Sequence, residues 1–253
     1  MSLRVNLQPA YILHSRPYRD SSMLLEVFTA EHGRISLAAR GARRRSRGGS
    51  KAALLQPFVP LLVSFSGRGE LKSLVAIEAA DGALSLRGER LFSGLYLNEL
   101  LFRLLHRHDA HPRLFSAYSK ALGELPLADP VDLVLRHFEF TLLAELGYSF
   151  DVTTDCLTGE EMMAGSWYRF QPGQGLTALE YAGASGDGAF AGEDLLSIAR
   201  GEFSAASRRA CKRLLREALA EHLGELPLRS RELFQSTLSK RSADAARGRE
   251  EGL

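Results

Sequence analysis

The sequence predicts an α+β multidomain protein: a small N-terminal β-barrel, followed by a mainly α-helical domain with a small turn-rich, hairpin-containing insertion. Three observations carry this reading. Residues 1–80 hold five short apolar segments separated by turns, the apolar spacing becomes helical from about Leu84, and that spacing breaks up between Ser149 and about Gly192.

The five strand-like segments are AYILHS (10–15), SSMLLEVFTA (21–30), RISLAARG (34–41), FVPLLVSFS (58–66) and ELKSLVAIEA (70–79). Glycine turns in EHGR and SGRGE separate the second from the third and the fourth from the fifth. Leu24, Glu26 and Phe28 alternate only imperfectly with Met23, Leu25 and Val27, as expected where a tightly curved barrel buries parts of both strand faces. A long connection between the third and fourth strands completes the pattern of an OB-type barrel, whose open face and loops hold single-stranded nucleic acid.

The helical part opens with RLFSGLYLNELLFRLLHRH (90–108), apolar on nearly every side, which places it at the centre of a bundle. HPRLFSAYSKALGEL and DPVDLVLRHFEFTLLAELGY each carry proline in the first turn, and the second ends at Gly147. Helices resume in GEDLLSIAR, SAASRRACKRLLREALAEHLG and RSRELFQSTLS. The expected division is a barrel domain over 1–80 and a helical domain over 81–240 with an insertion at about 149–191. The tail over 241–253, with few large apolar side chains, is predicted to be disordered.

With 253 residues, 45% of them hydrophobic and 25% charged, the chain has the composition of a soluble globular protein able to bury a core. Charges interrupt its apolar runs well short of the roughly 18 residues of a membrane span, and the N-terminus lacks the apolar run of a secretory signal. A cytoplasmic protein that does not meet the membrane is expected. Cys156 and Cys211 are the only cysteines, too few for a disulfide framework and not in a C-x-x-C pair, so both are read as reduced thiols. His106, His108 and His111 are read as helix-terminal residues facing the negative end of a helix dipole, not as metal ligands. No cofactor is implied.

The net charge of +2 hides an asymmetry. From His32 through Gly69 there is no Asp or Glu, while Arg34, Arg40, Arg43, Arg44, Arg45, Arg47, Lys51 and Arg68 all fall there; this stretch carries +8 and the remainder −6. Such a block is either a solvated loop or a phosphate-binding one. Its place in the long connection of the barrel favours the second. Gly41, Gly48 and Gly49 let the backbone approach a phosphate chain, and arginine's planar fork bonds phosphate oxygens in pairs. Tyr11, Tyr18, Phe28, Phe58 and Phe65 are the aromatics available for stacking; all are more readily core residues, and Tyr18, between Arg16 and Arg19, is the best placed for exposure.

A second basic group, Arg209, Lys212, Arg213 and Arg216, shares one face of a predicted helix whose other face carries Leu214, Leu215, Ala218 and Leu219. A solvated face, an acidic-peptide site and a path for a DNA strand all fit it. There is no P-loop, no Ser/His/Asp or Cys/His set and no carboxylate cluster, so an enzyme such as a nuclease finds no support; an RNA-binding barrel protein is the alternative to a DNA-binding one.

Five strings, ILHSRPYRDSSMLLEVFTAEHGRISLAARGAR, LLQPFVPLLVSFSGRGELKSL, LFSGLYLNELLFRLL, RHFEFTLLAELGY and PLRSRELF, resemble the RecO family of bacterial recombination mediators, over Gln8 to Ser239. The resemblance implies an N-terminal OB-fold that binds single- and double-stranded DNA, a helical C-terminal domain and no enzymatic turnover. It also implies strand annealing, docking on the acidic C-terminal tail of single-stranded DNA-binding protein, and cooperation with RecR to help load RecA, in a cytoplasmic, nucleoid-associated setting. Arg136, beside Leu135 and Phe138, matches a family arginine of the acidic-tail pocket, with Phe115, Leu95 and Leu142 as groove residues. Many members carry a four-cysteine zinc element; here the matching insertion keeps only Cys156, so a zinc-free hairpin is expected.

Overall fold

The structure, a computed structural model, describes residues 4–43, 53–179 and 188–234. Arg44, Arg45, Arg47, Lys51 and the 241–253 tail lie outside the described residues.

Strands β1 (Arg4–Tyr18), β2 (Ser22–Thr29), β3 (Gly33–Ala39), β4 (Leu61–Ser66) and β5 (Leu71–Ala79) form a closed barrel in the order β1-β2-β3-β5-β4. The long β1 serves two neighbours. Its first half pairs with β4, from Arg4↔Ser66 to Ala10↔Leu61, and its second with β2, from Ala10↔Thr29 to Tyr18↔Ser22. Register shifts between Val5 and Gln8 and between Ile12 and His14 mark the irregularities that let one strand bend around a small barrel. Closure comes from β3 and β5, which pair in parallel over Ser36↔Leu71, Leu37↔Lys72 and Ala38↔Ser73. Ile12, Leu25, Val27, Ile35, Leu37, Leu61, Val63 and Phe65 fill the interior. Each such side chain contributes about 1.5–3 kcal/mol on burial.

The imperfect alternation of β2 now has its cause. Leu25 and Val27 belong to the barrel core, while Glu26 and Phe28, on the alternate positions, are buried as well because helices cover the outside. Phe28 packs on Phe115 and Tyr118 of α2 (Pro112–Glu124). The apolar helix α1 (Glu89–Leu104) likewise packs on β1, so its all-round apolarity reflects a barrel as one of its partners. Asn98 of α1 donates to Leu13 O at 3.2 Å and accepts from the Tyr118 hydroxyl, while Tyr11 and Ser119 share a hydrogen bond of 2.9 Å. Burial, followed by the neighbouring Tyr11, pushes the Tyr118 hydroxyl well above its ordinary pKa, so it acts as a fixed donor. At the β2–β3 turn, Gly33 has φ +61°, and a Cβ there would stand 1.9 Å from Asp109 O, so only glycine lets the connection after α1 lie so close.

Compact packing divides the chain after Val131, whereas the change from strand to helix falls near residue 80. One unit holds the barrel, α1, α2 and, among the described residues, 226–234; the other is Asp132–Glu225. In the first unit Glu99 accepts from Arg229 N at 2.9 Å and from Ser230 N and Oγ at 2.9 and 2.7 Å, capping the helical stretch 229–234 with a carboxylate.

The second unit contains α3 (Val131–Glu145) from Asp132 onward, a sheet of β6 (Trp167–Gln171), β7 (Gly175–Ala178) and β8 (Ala189–Ala191) in the order β7-β6-β8, α4 (Gly192–Ala199) and α5 (Ala205–Leu223). The expected hairpin is β6–β7, and β8 adds a third strand that runs directly into α4. Ahead of it, the turn around Cys156 is organised by a carboxylate: Asp155 accepts from Leu157 N at 2.8 Å, Thr158 N at 3.2 Å and Ala178 N at 2.6 Å. Ser204 caps α5 by accepting from Ala206 N and Ser207 N, and Gly224, at φ +68°, follows its last turn.

Candidate nucleic-acid interface

On the barrel, the β1–β2 turn, the end of β3 and the start of β5 enclose a cleft of 530 Å³ lined by Tyr18, Arg19, Ser21, Ser22, Ala38, Arg40, Gly41, Leu71, Lys72 and Ser73. Arg19 holds a positive φ of 52°, and its guanidinium sits 5.1 Å from the centroid of the half-buried Tyr18 ring. Arg43 N donates to Ser21 O at 3.0 Å, tying the start of the β3–β4 connection to the β1–β2 turn. Arg19, Arg40 and Arg43 are exposed, and among the described residues none has a carboxylate within 4.0 Å. Uncompensated cations around a cleft with an aromatic wall and three serines suit a phosphate backbone and a stacked base.

The basic segment is anchored on both sides. Ala42 and Leu55, which flank it, are both buried in the barrel core. Arg44, Arg45, Arg47 and Lys51 fall between these anchors and outside the described residues.

The other expected DNA contacts separate. Arg34 is a correction: only 14% of its side chain is exposed, its Nε donates to Leu105 O at 3.1 Å, and its Nη1 lies 3.6 Å from Glu26 Oε2. Glu26 also accepts from Ser36 Oγ at 2.6 Å and from Arg107 Nη2 at 3.0 Å. Desolvation lowers the Arg34 pKa, Glu26 opposes this and Arg107 adds to it, and a guanidinium so placed ties barrel to helices instead of meeting solvent. Arg68 is exposed on the β4–β5 turn and does not line the cleft. Tyr11, Phe28, Phe58 and Phe65 are all core residues. Sequence reasoning missed Lys72, which is buried and donates from Nζ to Gly69 O at 3.2 Å; its neighbourhood exists only because β5 pairs with β3.

The residues expected of the peptide groove fall in two units. Arg136 is 7% exposed and pairs through Nη1 with Glu139 Oε2 at 2.8 Å, so its charge is engaged one turn along its own helix and does not stand free at a groove mouth. Leu135 is half-buried, and Phe138 and Leu142 are buried in the same unit. Phe115 and Leu95 belong to the other unit, where Phe115 packs on Tyr11 and Phe28. Burial pushes the thiol of Cys211 up to about 12, with Arg136 opposing the rise and Glu139 and Asp132 adding to it.

On α5, Arg209, Lys212 and Arg216 are exposed as expected, but Arg213 leaves the group. Its guanidinium lies 4.0 Å from the Phe190 ring centroid and donates to Ala189 O, because β8 packs where a free face was expected. The neighbouring Arg208 grips Asp132 at 2.7 and 3.0 Å. Of the histidines, His106 follows the end of α1, whereas His111 precedes α2 and so stands at a positive helix end, 3.3 Å from Asp109. Among the described residues no cluster of His, Cys, Asp and Glu is placed to hold a metal, and no helix is long and apolar enough to cross a membrane.

Comparison with known proteins agrees with this architecture. The family models described as "Recombination protein O N terminal" and "Recombination protein O C terminal" match residues 1–83 and 86–232. The chain is 45% identical over 235 residues to a protein of Cellvibrio japonicus named DNA repair protein RecO, covering 92% of this chain and 98% of that one. Proteins of the same name from Nitrosococcus oceani and Methylococcus capsulatus are 46% and 44% identical, over 92% of this chain and 94% and 95% of theirs. With both halves of the family matched in order along nearly the whole chain, the protein belongs to the recombination protein O (RecO) family.

Proposed function

We propose that the protein is a DNA-binding factor of recombination and repair that acts by binding and not by turnover. The barrel cleft and the adjoining arginine segment hold single- and double-stranded DNA by its phosphates. Bringing two captured strands together anneals them, and with RecR the protein helps load RecA onto strands coated by single-stranded DNA-binding protein. The observation that carries this reading is the cleft of Tyr18, Arg19 and Arg40 on a closed five-stranded barrel, with uncompensated cations at its rim. Membership of a family whose named relatives are DNA repair proteins supports it.

The acidic tail of single-stranded DNA-binding protein is assigned to the second unit, around Leu135, Arg136 and Phe138. Since Arg136 already holds Glu139, the incoming carboxylate must exchange with that side chain for the guanidinium.

The test is anisotropy of a labelled single strand at several salt concentrations, with a matched RNA as competitor. Each phosphate contact adds about 0.7 to the magnitude of the log–log salt slope, so replacing Arg43, Arg44, Arg45 and Arg47 with alanine lowers it by about 3. An unchanged slope refutes the assignment to the arginine segment. Equal or stronger competition by RNA favours an RNA-binding role.

A further inference from the structure

In the second unit a cleft of 260 Å³ opens between β6, β8 and α5, and Trp167, Phe190 and Arg209 line it. Its walls are made of small or fixed groups. Ala206 and Ala210 keep α5 low on one side, and Arg213, lying on the Phe190 ring, braces the other. The basic residues of α5 divide into two sets: Arg208 and Arg213 are engaged with Asp132 and with Ala189 and Phe190, while Arg209, Lys212 and Arg216 face solvent. Among the described residues these three have no carboxylate within 4.0 Å. They lie at i, i+3 and i+7, one row about 10 Å long at 1.5 Å rise per residue, starting at the mouth of the cleft.

We infer that this cleft and the row of cations are a second single-strand contact, in which one base stacks on Trp167 and the adjoining phosphates run along Arg209, Lys212 and Arg216. The inference rests on the nucleic-acid reading above and extends it to a surface that the barrel does not contain. A row of cations fits a chain with charge at every repeat, and an indole face at its head takes any base, so the contact is sequence-tolerant. The opposing charges are Glu217, which lies 3.9 Å from Arg213 and interacts with Arg216, and, in the lining itself, Asp194. The Asp194 carboxyl is raised by burial and by Glu193 and is held down by Arg209 and Arg213, so it tempers the site without cancelling the row.

Trp167 is the chain's single tryptophan, so its emission reports on this cleft alone. In the full chain titrated with a thymidine oligonucleotide, the emission falls in step with the anisotropy of a labelled strand. Arg209→Ala/Lys212→Ala/Arg216→Ala, three exposed positions, abolishes the quenching and lowers the magnitude of the salt slope by about 2. Trp167→Ala weakens binding at least about fivefold with the slope unchanged, and Trp167→Phe restores most of it. Strand binding by anisotropy with unchanged Trp167 emission, or a triple variant that quenches like the parent, overturns the inference and leaves the barrel reading standing. Quenching by an acidic peptide but not by the oligonucleotide overturns it in favour of a peptide site. Absence of any anisotropy change in the parent protein defeats both readings together.

Discussion

Arg107, in the connection after α1, donates from Nη2 to Glu26 Oε1 on β2 across 3.0 Å, and Arg34 of β3 approaches the other oxygen of the same carboxylate at 3.6 Å. One buried carboxylate thus gathers two cations from different parts of the chain, and removing a member strands the others.

Arg34→Ala is therefore a stability change and not a DNA-contact change. It costs about 3 kcal/mol in urea unfolding, near the lower end for breaking a buried pair, while the salt slope of strand binding is unaltered. A slope reduced by a full contact at unchanged stability would return Arg34 to the DNA interface.

Tyr18 closes one side of the barrel cleft under the Arg19 guanidinium. Tyr18→Ala weakens single-strand binding by about 1–3 kcal/mol, Tyr18→Phe by much less, and neither alters the salt slope, because a stacked ring releases no counterions. Anisotropy titrations of the two variants at matched salt decide it.

Arg136 and Glu139 form a buried pair within one helix. Arg136→Ala takes the guanidinium from a fully buried carboxylate and destabilises the fold by about 3–5 kcal/mol, whereas the apolar double variant Arg136→Met/Glu139→Leu remains close to the parent. That double variant separates folding from recognition: it folds and fails to bind an acidic-tail peptide. Retained peptide binding would remove Arg136 from the site.

Asp155 is drawn upward by burial and, more strongly in sum, downward by the N–H groups of Ala178, Leu157 and Thr158, leaving its pKa below the ordinary carboxylate value. A depressed folded-state pKa means that its contribution is fully present above the unfolded value of about 4 and is lost as pH falls through the lower folded value. Asp155→Ala costs about 2–4 kcal/mol at neutral pH through the N–H groups left unpaired, and the gap to the parent narrows in acid. Thermal unfolding from pH 7 to pH 3 follows it; a gap independent of pH would deny the carboxylate this role.

Strand and helix positions, the turn-rich break and the excess of cations were legible in the sequence because each depends on neighbours two to four places apart. Pro112 at the start of α2 and Gly224 after α5 announce those ends by backbone chemistry alone. Even β2's imperfect alternation stated that both of its faces are buried, without saying by what.

What the tertiary structure alone decided was which cations are free. Arg34 and Arg40 stand six places apart in the same basic stretch, yet one is neutralised by Glu26 and the other lines an open cleft. The difference comes from strand register, which sets Ser36 opposite Glu26, and from Arg107, 81 residues from Glu26 along the chain. The same holds for Arg213 against Arg209 and for the apolar α1, whose partner proved to be a barrel strand. Periodicity is a property of consecutive residues, whereas neutralisation and burial belong to residues that meet only after the chain has closed on itself.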